Sequence, residues 1–456
     1  VDADRATITV VGIGDMSGDV FGNGMLLPRH LKVLAAFPHL HVFIDPNPDP
    51  EISFRERERL FALPRSSWDD YDKSLLSAGG AVYPRAAKSI ALSPEARAAL
   101  GIRAERLTPN ELVRNLLKAP VDLLWNGGIG TYVKARREND SEVGDRANDA
   151  VRINGDELRC KVVGEGGNLG LTQLGRIEFA RRGGQVLTDA IDNSGGVDCS
   201  DHEVNIKILL NQVVVSGDMT EKQRNQLLAD MTDEVAELVL RQNYLQPQAI
   251  SLTRAQAAES LGDHIRVMRS LEKAGKLNRA LEFLPDDEEL AERETAREGL
   301  TPPELAVLLA YGKIALYEEL LASDVPEDAY LQNELLMYFP RPLQARFVEQ
   351  STLVHEFGHA VCSWLCGAWA FPLPWVTLTS GERSVFLVLV ELAGLGYLLW
   401  RWRARAWPAA VVLVALVVGL LLPAKKMEAF IVFGGDGGAL VLGTLFMLTV
   451  FLPDSA

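Results

Sequence analysis

The sequence predicts an α/β protein with a doubly wound sheet, followed by an all-α region and a C-terminal helical membrane segment. Short β-branched stretches alternate with helical segments through the first part of the chain. Apolar residues then recur at every third or fourth position, and the last part of the chain is strongly apolar. We place the corresponding regions at residues 1–216, 217–347 and 348–456.

Length and charge narrow the class of protein. A chain of 456 residues is long enough for two or more domains. Its net charge is −15, and almost all of it lies before the apolar part, so we expect no nucleic-acid partner and a cytoplasmic location for residues 1–347. Four scattered cysteines do not make a disulfide framework. The chain begins at Val1 without a secretory leader, and we expect a fragment of a longer protein.

The first strand runs into a glycine-rich turn. Residues 7–12 are β-branched and continuous, as in a buried parallel strand. Gly12 and Gly14 then allow a tight turn and a close approach of pyrophosphate, and Ser17 takes the place of a third glycine. The helix that follows would point its N-terminus at the phosphates. This stretch therefore predicts a Rossmann-like dinucleotide turn.

An acidic residue follows the next strand that we expect. Residues 41–44 form that strand, and Asp45 comes directly after it. An acid near this position can hold the adenosine ribose hydroxyls, which favours NAD over NADP. The alternative is a simple turn residue before Pro46.

Two later strand ends are crowded with glycine, asparagine and aspartate. Val162 and Val163 end one short strand and are followed at once by glycines. A further strand, at residues 121–125, is followed by an asparagine and two glycines. Val186 and Leu187 start another strand, and Asp189, Asn193 and paired glycines follow it. Such ends fit the carboxyl edge of a parallel sheet, where open α/β folds bind ligands. The alternative is a pair of ordinary turns.

Residues 162–205 resemble the nicotinamide-binding domain of glutamate dehydrogenases, closest to the large NAD-specific bacterial type. The resemblance runs from about residue 7 to about residue 347. It implies NAD as the cofactor, oxidative deamination of glutamate to 2-oxoglutarate as the reaction, and a homo-oligomer. The family's catalytic lysine and partner aspartate lie in an amino-terminal domain without a counterpart in this sequence. We therefore expect weak NAD binding and no turnover of glutamate.

The resemblance also implies roles for single residues. Gly12, Gly14 and Ser17 match the dinucleotide turn. Asn168 matches an asparagine that faces the cofactor ribose, and Asn193 matches one near the nicotinamide carboxamide. Ser200 matches a serine near the substrate's side-chain carboxylate. The local alternatives are that both asparagines cap turns and that Ser200 is the N-cap of a helix starting near residue 204.

Residues 217–347 are expected to be helical. Apolar positions recur at helical spacing through residues 227–240, 255–271 and 305–320, and Thr301 with Glu304 forms a capping box. No residue type in this region indicates a catalytic site. The default interpretation is a packing or oligomer-forming region.

The chain changes character at about residue 347. Four long apolar stretches suggest about four membrane spans, at residues 351–379, 385–400, 406–424 and 429–453. Arginines and lysines fall on both sides of the third stretch, which leaves the topology undecided. No linker of glycine, serine or proline separates these stretches from the preceding region, so we expect an accidental fusion more than a designed bifunctional protein.

The first apolar stretch contains a His-Glu-x-x-His motif. On a helix, His355 and His359 would share a Zn²⁺ ion, and Glu356 would take a proton from the metal-bound water. The motif resembles that of site-2-protease-like intramembrane metallopeptidases, which supply an aspartate as third ligand. Asp436 is the candidate for it. Two cysteines on the histidine face could ligate instead, although helix packing explains their position as well.

Three hypotheses follow from the sequence. The first is a glutamate dehydrogenase fragment that binds NAD and is inactive alone. The second is an intramembrane zinc metallopeptidase with a fused soluble extension. The third is a non-enzymatic assembly module.

Overall fold

A computed structural model describes residues 5–215, 217–328, 331–344, 368–373 and 376–383. The chain divides into two compact units, Val1–Asp328 and Ala329–Ala456. The strands are β1 (Ile8–Ile13), β2 (Leu31–Phe37), β3 (His41–Ile44), β4 (Ala81–Pro84), β5 (Ile90–Ala91), β6 (Arg106–Leu107), β7 (Leu123–Asn126), β8 (Val133–Lys134), β9 (Ile153–Asn154), β10 (Val162–Glu165), β11 (Ala368–Leu373) and β12 (Val376–Arg383).

The helices alternate with these strands and then continue alone. They are α1 (Asp19–Leu26), α2 (Pro50–Ala62), α3 (Pro94–Leu100), α4 (Pro109–Leu117), α5 (Asp140–Val143), α6 (Gln173–Arg181), α7 (Asp189–Asp192), α8 (Ser194–Val215), α9 (Glu221–Asp230), α10 (Thr232–Ala255), α11 (Leu261–Lys273), α12 (Asp287–Ala296), α13 (Pro302–Leu321) and α14 (Gln332–Met337). Short 3-10 turns lie at Trp68–Asp70, Lys73–Leu75, Arg146–Asn148, Gly155–Glu157 and Val325–Glu327.

Six strands form the main sheet of the first unit, in the order β10-β7-β1-β2-β3-β4. Strands β10, β7, β1 and β2 run parallel, whereas β3 is antiparallel to β2 and β4 is antiparallel to β3. The register sets the ends of the four parallel strands side by side: Ile13 pairs with Phe37 and with Asn126, which pairs with Glu165. These four residues therefore mark one carboxyl edge.

Helices cover both faces of the sheet, as expected for a mixed α/β fold. Successive strand residues point to opposite faces, and Val10 and Val11 of β1 belong to two different hydrophobic clusters. One cluster includes residues of α1 and α2, and the other includes residues of α3, α4 and α6. The sheet is thus buried from both sides, which explains why its strands read as continuous apolar runs.

Capping boxes fix the starts of two helices. Thr108 begins α4, and its backbone N–H donates to the Glu111 carboxylate at 2.8 Å. Thr301 begins α13 in the same way, with the Glu304 carboxylate 2.6 Å from its backbone nitrogen. Proline at the first helical position of each needs no N–H partner. The predicted capping box at Thr301 is confirmed.

Two strand predictions need correction. Residues His41–Ile44 form a strand, but the second parallel strand is Leu31–Phe37, which the sequence analysis did not identify. The expected strand at Val186 is reduced to a single bridge between Gln185 and Val162. Only Gln185, Val186 and Leu187 separate the preceding glycines from Thr188, the N-cap of α7, which leaves little room for a longer strand.

The first unit ends in an all-α region, as predicted. Helix α10 packs against both α8 and α13. A hydrophobic core of its own holds this region together and includes Ile250, Leu261, Met268, Leu300 and Leu305. The domain boundary at residue 216 remains a prediction.

The described part of the second unit differs from the predicted membrane segment. Strands β11 and β12 form an antiparallel pair, so residues 368–373 and 376–379 of the first expected span are not helical. Aromatic and β-branched residues favour strands, and the prolines at 372 and 374 disfavour a helix. None of the described helices combines the length and the apolar character needed to cross a membrane. The other three expected spans lie outside the described residues.

Candidate functional site

Backbone hydrogen bonds join the strand ends at the carboxyl edge of the sheet. The Gly14 N–H donates to the Phe37 carbonyl oxygen at 3.0 Å, and the Gly127 N–H donates to the Ile13 carbonyl oxygen at 3.0 Å. On the far side, the Gly167 N–H donates to the Asn126 carbonyl oxygen at 2.9 Å. The turns after β1, β7 and β10 therefore lie side by side on one edge.

The turn after β1 rests on two aromatic side chains. Gly14 has a φ of +141°, and a Cβ atom there would lie 2.7 Å from the Phe21 ring. A Cβ atom at Gly12 would lie 2.5 Å from the same ring. Trp68 is fully buried and donates from Nε1 to the Gly14 carbonyl oxygen at 2.9 Å. The absence of side chains at Gly12 and Gly14 thus leaves room for the Phe21 ring, and the hydrogen bond from Trp68 holds the turn in place.

Three more glycines, one in β10, one in the turn after it and one in α1, leave room for a second aromatic side chain, that of Trp125. Cβ atoms at Gly164 and Gly166 would lie 2.9 Å and 2.6 Å from the Trp125 ring, and one at Gly24 would lie 2.7 Å from it. Gly164 and Gly166 were predicted to let a ligand come close to the backbone. Packing against Trp125 already explains why Gly164 and Gly166 lack a side chain.

The N-terminus of α1 has mixed features for binding pyrophosphate. Gly18 is the N-cap and provides no side-chain hydrogen bond, so the first-turn N–H groups are uncapped. The Ser17 hydroxyl donates to the Asp15 carboxylate at 2.7 Å, and Asp19 lies in the first turn. The backbone fits a phosphate anion, whereas these two carboxylates repel one. This arrangement favours modest rather than tight affinity.

Asn168 and Asn193 come together at this edge. The Asn193 Nδ2 atom donates to the Asn168 Oδ1 atom at 3.0 Å, although the residues are 25 positions apart. Asn168 follows β10 in the turn beside Gly128, because a Cβ atom at Gly167 would lie 2.9 Å from the Gly128 carbonyl oxygen. The structure therefore brings together the two asparagines that the sequence analysis selected, next to the turn that follows β7.

Ser200 lies farther along the helix that starts after Asn193. Helix α8 begins at Ser194, so Ser200 is an internal helical residue and not the N-cap considered above. Its hydroxyl donates to the Gly196 carbonyl oxygen at 3.1 Å, and its side chain is exposed. Its role near a substrate carboxylate remains a prediction.

A buried ion pair lies under the loop that carries Asn168. Arg176 donates from Nε and Nη2 to the two Glu165 carboxylate oxygens, at 2.7 Å and 2.9 Å. Glu165 also accepts from the Leu171 N–H at 3.0 Å. The Glu165 N–H donates to the Asp192 carboxylate at 2.9 Å, and burial raises the pKa of Asp192 to about 7. Sequence reasoning missed this network because no local pattern pairs residues 165 and 176.

Asp45 does not lie at the cofactor edge. It follows the antiparallel strand β3, and its N–H donates to the Leu34 carbonyl oxygen in the middle of β2. Its side chain is 0% exposed and accepts hydrogen bonds from the Ser77 hydroxyl and N–H, and burial raises its pKa. The structure therefore does not bring Asp45 to the edge at which the ribose contact was predicted, because β3 runs opposite to the direction assumed.

We expect Asp45→Asn to leave NADH affinity within about twofold of the unchanged protein, since the side chain lies away from the edge. The change should alter the free energy of unfolding by less than about 1 kcal/mol, because the lost burial cost of the charge offsets the weaker hydrogen bond to Ser77. NADH titration and urea unfolding measure the two effects. A loss of affinity above tenfold without a loss of stability would contradict the correction.

The residues proposed to bind zinc lie in a part of the chain that the structure does not describe. They are His355, His359 and Asp436, and Glu356, the proposed proton acceptor, also lies there. In the part of the chain that the structure covers, no group of three or more histidine, cysteine, aspartate or glutamate side chains is placed to hold a metal ion.

Comparisons with known proteins identify the family. Residues 1–253 match the profile of the bacterial NAD-glutamate dehydrogenase catalytic domain, and residues 297–355 match a glutamate dehydrogenase C-terminal profile. The second match passes the expected junction at residue 347 and includes His355, which the peptidase hypothesis needed as a ligand. The comparisons thus favour the dehydrogenase assignment there and give no support to a peptidase.

Curated relatives agree with these profiles. NAD-specific glutamate dehydrogenases from Pseudomonas aeruginosa, Halomonas elongata and Mycobacterium tuberculosis are 61%, 57% and 53% identical over 347, 350 and 356 residues. The matches cover 76–77% of this chain but only 21–22% of each relative. The chain thus spans about a fifth of the length of these relatives, and it belongs to the bacterial NAD-glutamate dehydrogenase family.

Proposed function

We propose that this chain binds NAD at the carboxyl edge of its sheet and forms the cofactor-binding part of an enzyme that oxidises glutamate to 2-oxoglutarate. The observation that carries the proposal is the hydrogen bond between Asn168 and Asn193, beside the glycine turns that follow β1, β7 and β10. Open α/β sheets bind ligands at this edge. The names of the curated relatives support NAD as the cofactor.

Each part of the edge has a distinct task in this proposal. The turn at Gly14 and the N-terminus of α1 would receive the pyrophosphate. The amides of Asn168 and Asn193 would orient the nicotinamide ribose and the carboxamide, and Ser200 would contact the substrate's side-chain carboxylate. The bound cofactor supplies the hydride acceptor. The protein groups bind and orient, and their charge and shape decide which face of the cofactor meets the substrate.

Glutamate oxidation also needs a group that moves a proton and a clamp for the substrate carboxylates. The residues assigned to the edge are glycines, two amides and one hydroxyl, none of which is a good general base at neutral pH. We therefore expect binding of the cofactor without appreciable chemistry by this chain alone.

The test is an NADH titration of the whole chain. Because Trp125 packs under the edge, we expect saturable energy transfer from tryptophan to NADH, together with glutamate oxidation below about one-hundredth of that of a complete relative. Asn168→Ala should weaken NADH binding, while the exposed control Asn225→Ala should not. Absence of saturable binding would refute the cofactor site, and rapid glutamate oxidation would refute the claim of incompleteness.

Homo-oligomerisation remains part of the proposal. Exposed apolar residues recur on α8 at spacings of seven, four and seven: Val197, Val204, Ile208 and Val215. Such spacing places them along one face of the helix, and a contact with another subunit would remove this face from water.

A further inference from the structure

Asp189 ties together the loop after β10 and the start of α7. One of its carboxylate oxygens accepts a hydrogen bond from the Leu169 N–H at 2.8 Å. The other accepts from the Ala190 N–H at 3.0 Å and lies 3.1 Å from Arg176 Nη2. The carboxylate is thus held by two backbone groups and one guanidinium. Its contact with Leu169 fixes the residue that follows Asn168.

Leu169 has a backbone conformation that needs such support. Its φ is +57°, in the left-handed region that residues with a Cβ atom rarely adopt. Its side chain is 64% exposed, so burial contributes little to holding it there. Two hydrogen bonds hold Leu169 in this conformation: its carbonyl oxygen accepts from the Thr131 hydroxyl at 2.7 Å, and its N–H donates to Asp189. The second of these fixes the peptide between Asn168 and Leu169.

We propose that Asp189 is a positioning residue that sets the Asn168 amide for the nicotinamide half of the bound cofactor. The inference rests on the function proposed above. Asp189 acts through the peptide of Leu169, and Arg176 holds the Asp189 carboxylate in its orientation. Without Asp189, Leu169 would relax to a negative φ, and the hydrogen bond between Asn168 and Asn193 would be lost.

The pairing of the two asparagines supports an effect limited to one half of the cofactor. Asn193 follows α7 directly, and its N–H donates to the Asp189 carbonyl oxygen at 2.8 Å. Asp189 therefore contacts Asn193 through its backbone, and through its side chain it contacts Leu169, the residue that follows Asn168. The turn at Gly14, by contrast, is held by Phe37 and Trp68, which Asp189 does not reach by any of these bonds.

The experiment compares two ligands in the whole chain. NADH contains the nicotinamide half, whereas ADP-ribose has the same adenosine and pyrophosphate without the nicotinamide ring. We expect Asp189→Ala to weaken NADH binding about tenfold, the size of a lost charge-assisted hydrogen bond, and to change ADP-ribose binding less than twofold. A merely structural role would weaken both ligands alike, and that result would overturn the proposal.

Two further variants guard against a folding defect. Leu169→Gly adopts a positive φ at little cost, so the double variant with Asp189→Ala should regain part of the NADH affinity. Asp189→Asn keeps an acceptor for the Leu169 N–H and should lose less NADH affinity than Asp189→Ala. If none of the three variants changes the ratio of NADH affinity to ADP-ribose affinity, the positioning role of Asp189 is refuted, whereas the proposed cofactor site is not. If the unaltered chain binds neither ligand, the proposed cofactor site itself is refuted.

Discussion

Gly14→Ala is expected to reduce NADH affinity by at least about tenfold and to lower the free energy of unfolding by about 2 kcal/mol or more. Alanine strongly disfavours the φ of +141° at this position. Its Cβ atom would also lie 2.7–2.9 Å from three Phe21 atoms, so Phe21 would move from beneath the turn. The Gly14 carbonyl would then lose its hydrogen bond from Trp68. NADH titration and urea unfolding measure both effects.

Gly183→Ala is the matched control. Gly183 also has a positive φ, +91°, but a Cβ atom there would meet nothing within 4 Å. It lies after α6, two residues before Gln185, which bridges to Val162 at the start of β10 and therefore lies at the opposite edge of the sheet. We expect a stability loss of about 1 kcal/mol and unchanged NADH affinity. Equal affinity losses in the two variants would show that the Gly14 effect is not local.

The fold was predictable where the signal is local and strong. Residues 7–12 read as a buried strand, and the structure places β1 at Ile8–Ile13. The capping box at Thr301 predicted the start of α13. These signals arise from residues that are close together in the sequence, so they can be recognised from the sequence of one protein. The glycine and asparagine residues after β7 and β10 were likewise readable because parallel strands share one edge.

Long-range pairing was not predictable in the same way. Strand β2 contains Leu31, Lys32 and two alanines, a composition that does not separate a strand from a helix. Missing it reversed the assumed direction of β3, and Asp45 was consequently assigned to the wrong edge. Trp68 reads as a loop residue, yet it is buried and holds Gly14 across 54 positions. No pattern of neighbouring residues predicts a contact between residues so far apart in the sequence.

The C-terminal assignment shows a different difficulty. The His-Glu-x-x-His motif was judged by its apolar surroundings, because an ionisable group in a membrane is costly. That inference depended on a helical span, and residues 368–379 include two strand segments instead. Family similarity extending to residue 355 then gave the first histidine of the motif another explanation. Composition alone did not distinguish a membrane span from the strand pair at residues 368–373 and 376–383.

Arg176→Met is expected to lower the free energy of unfolding by about 3–5 kcal/mol, because it leaves the Glu165 carboxylate buried without its partner. Glu165 is 0% exposed and Arg176 is 5% exposed, so water cannot replace the lost hydrogen bonds. The loop carrying Asn168 starts at Glu165, and NADH affinity should fall with it. The double variant with Glu165→Gln removes the charge and keeps an acceptor for the Leu171 N–H, so it should regain most of the stability.

Arg55→Met is the control for this change. Arg55 pairs with Glu51 on α2, and both side chains are more than half exposed. Water screens this ion pair, so its loss should cost less than about 0.5 kcal/mol. If urea unfolding gave equal losses for Arg176→Met and Arg55→Met, the buried pair would contribute no more than a surface pair. The loop after β10 would then depend on its other hydrogen bonds, among them those from the Gly167 N–H to Asn126 and from the Leu169 N–H to Asp189.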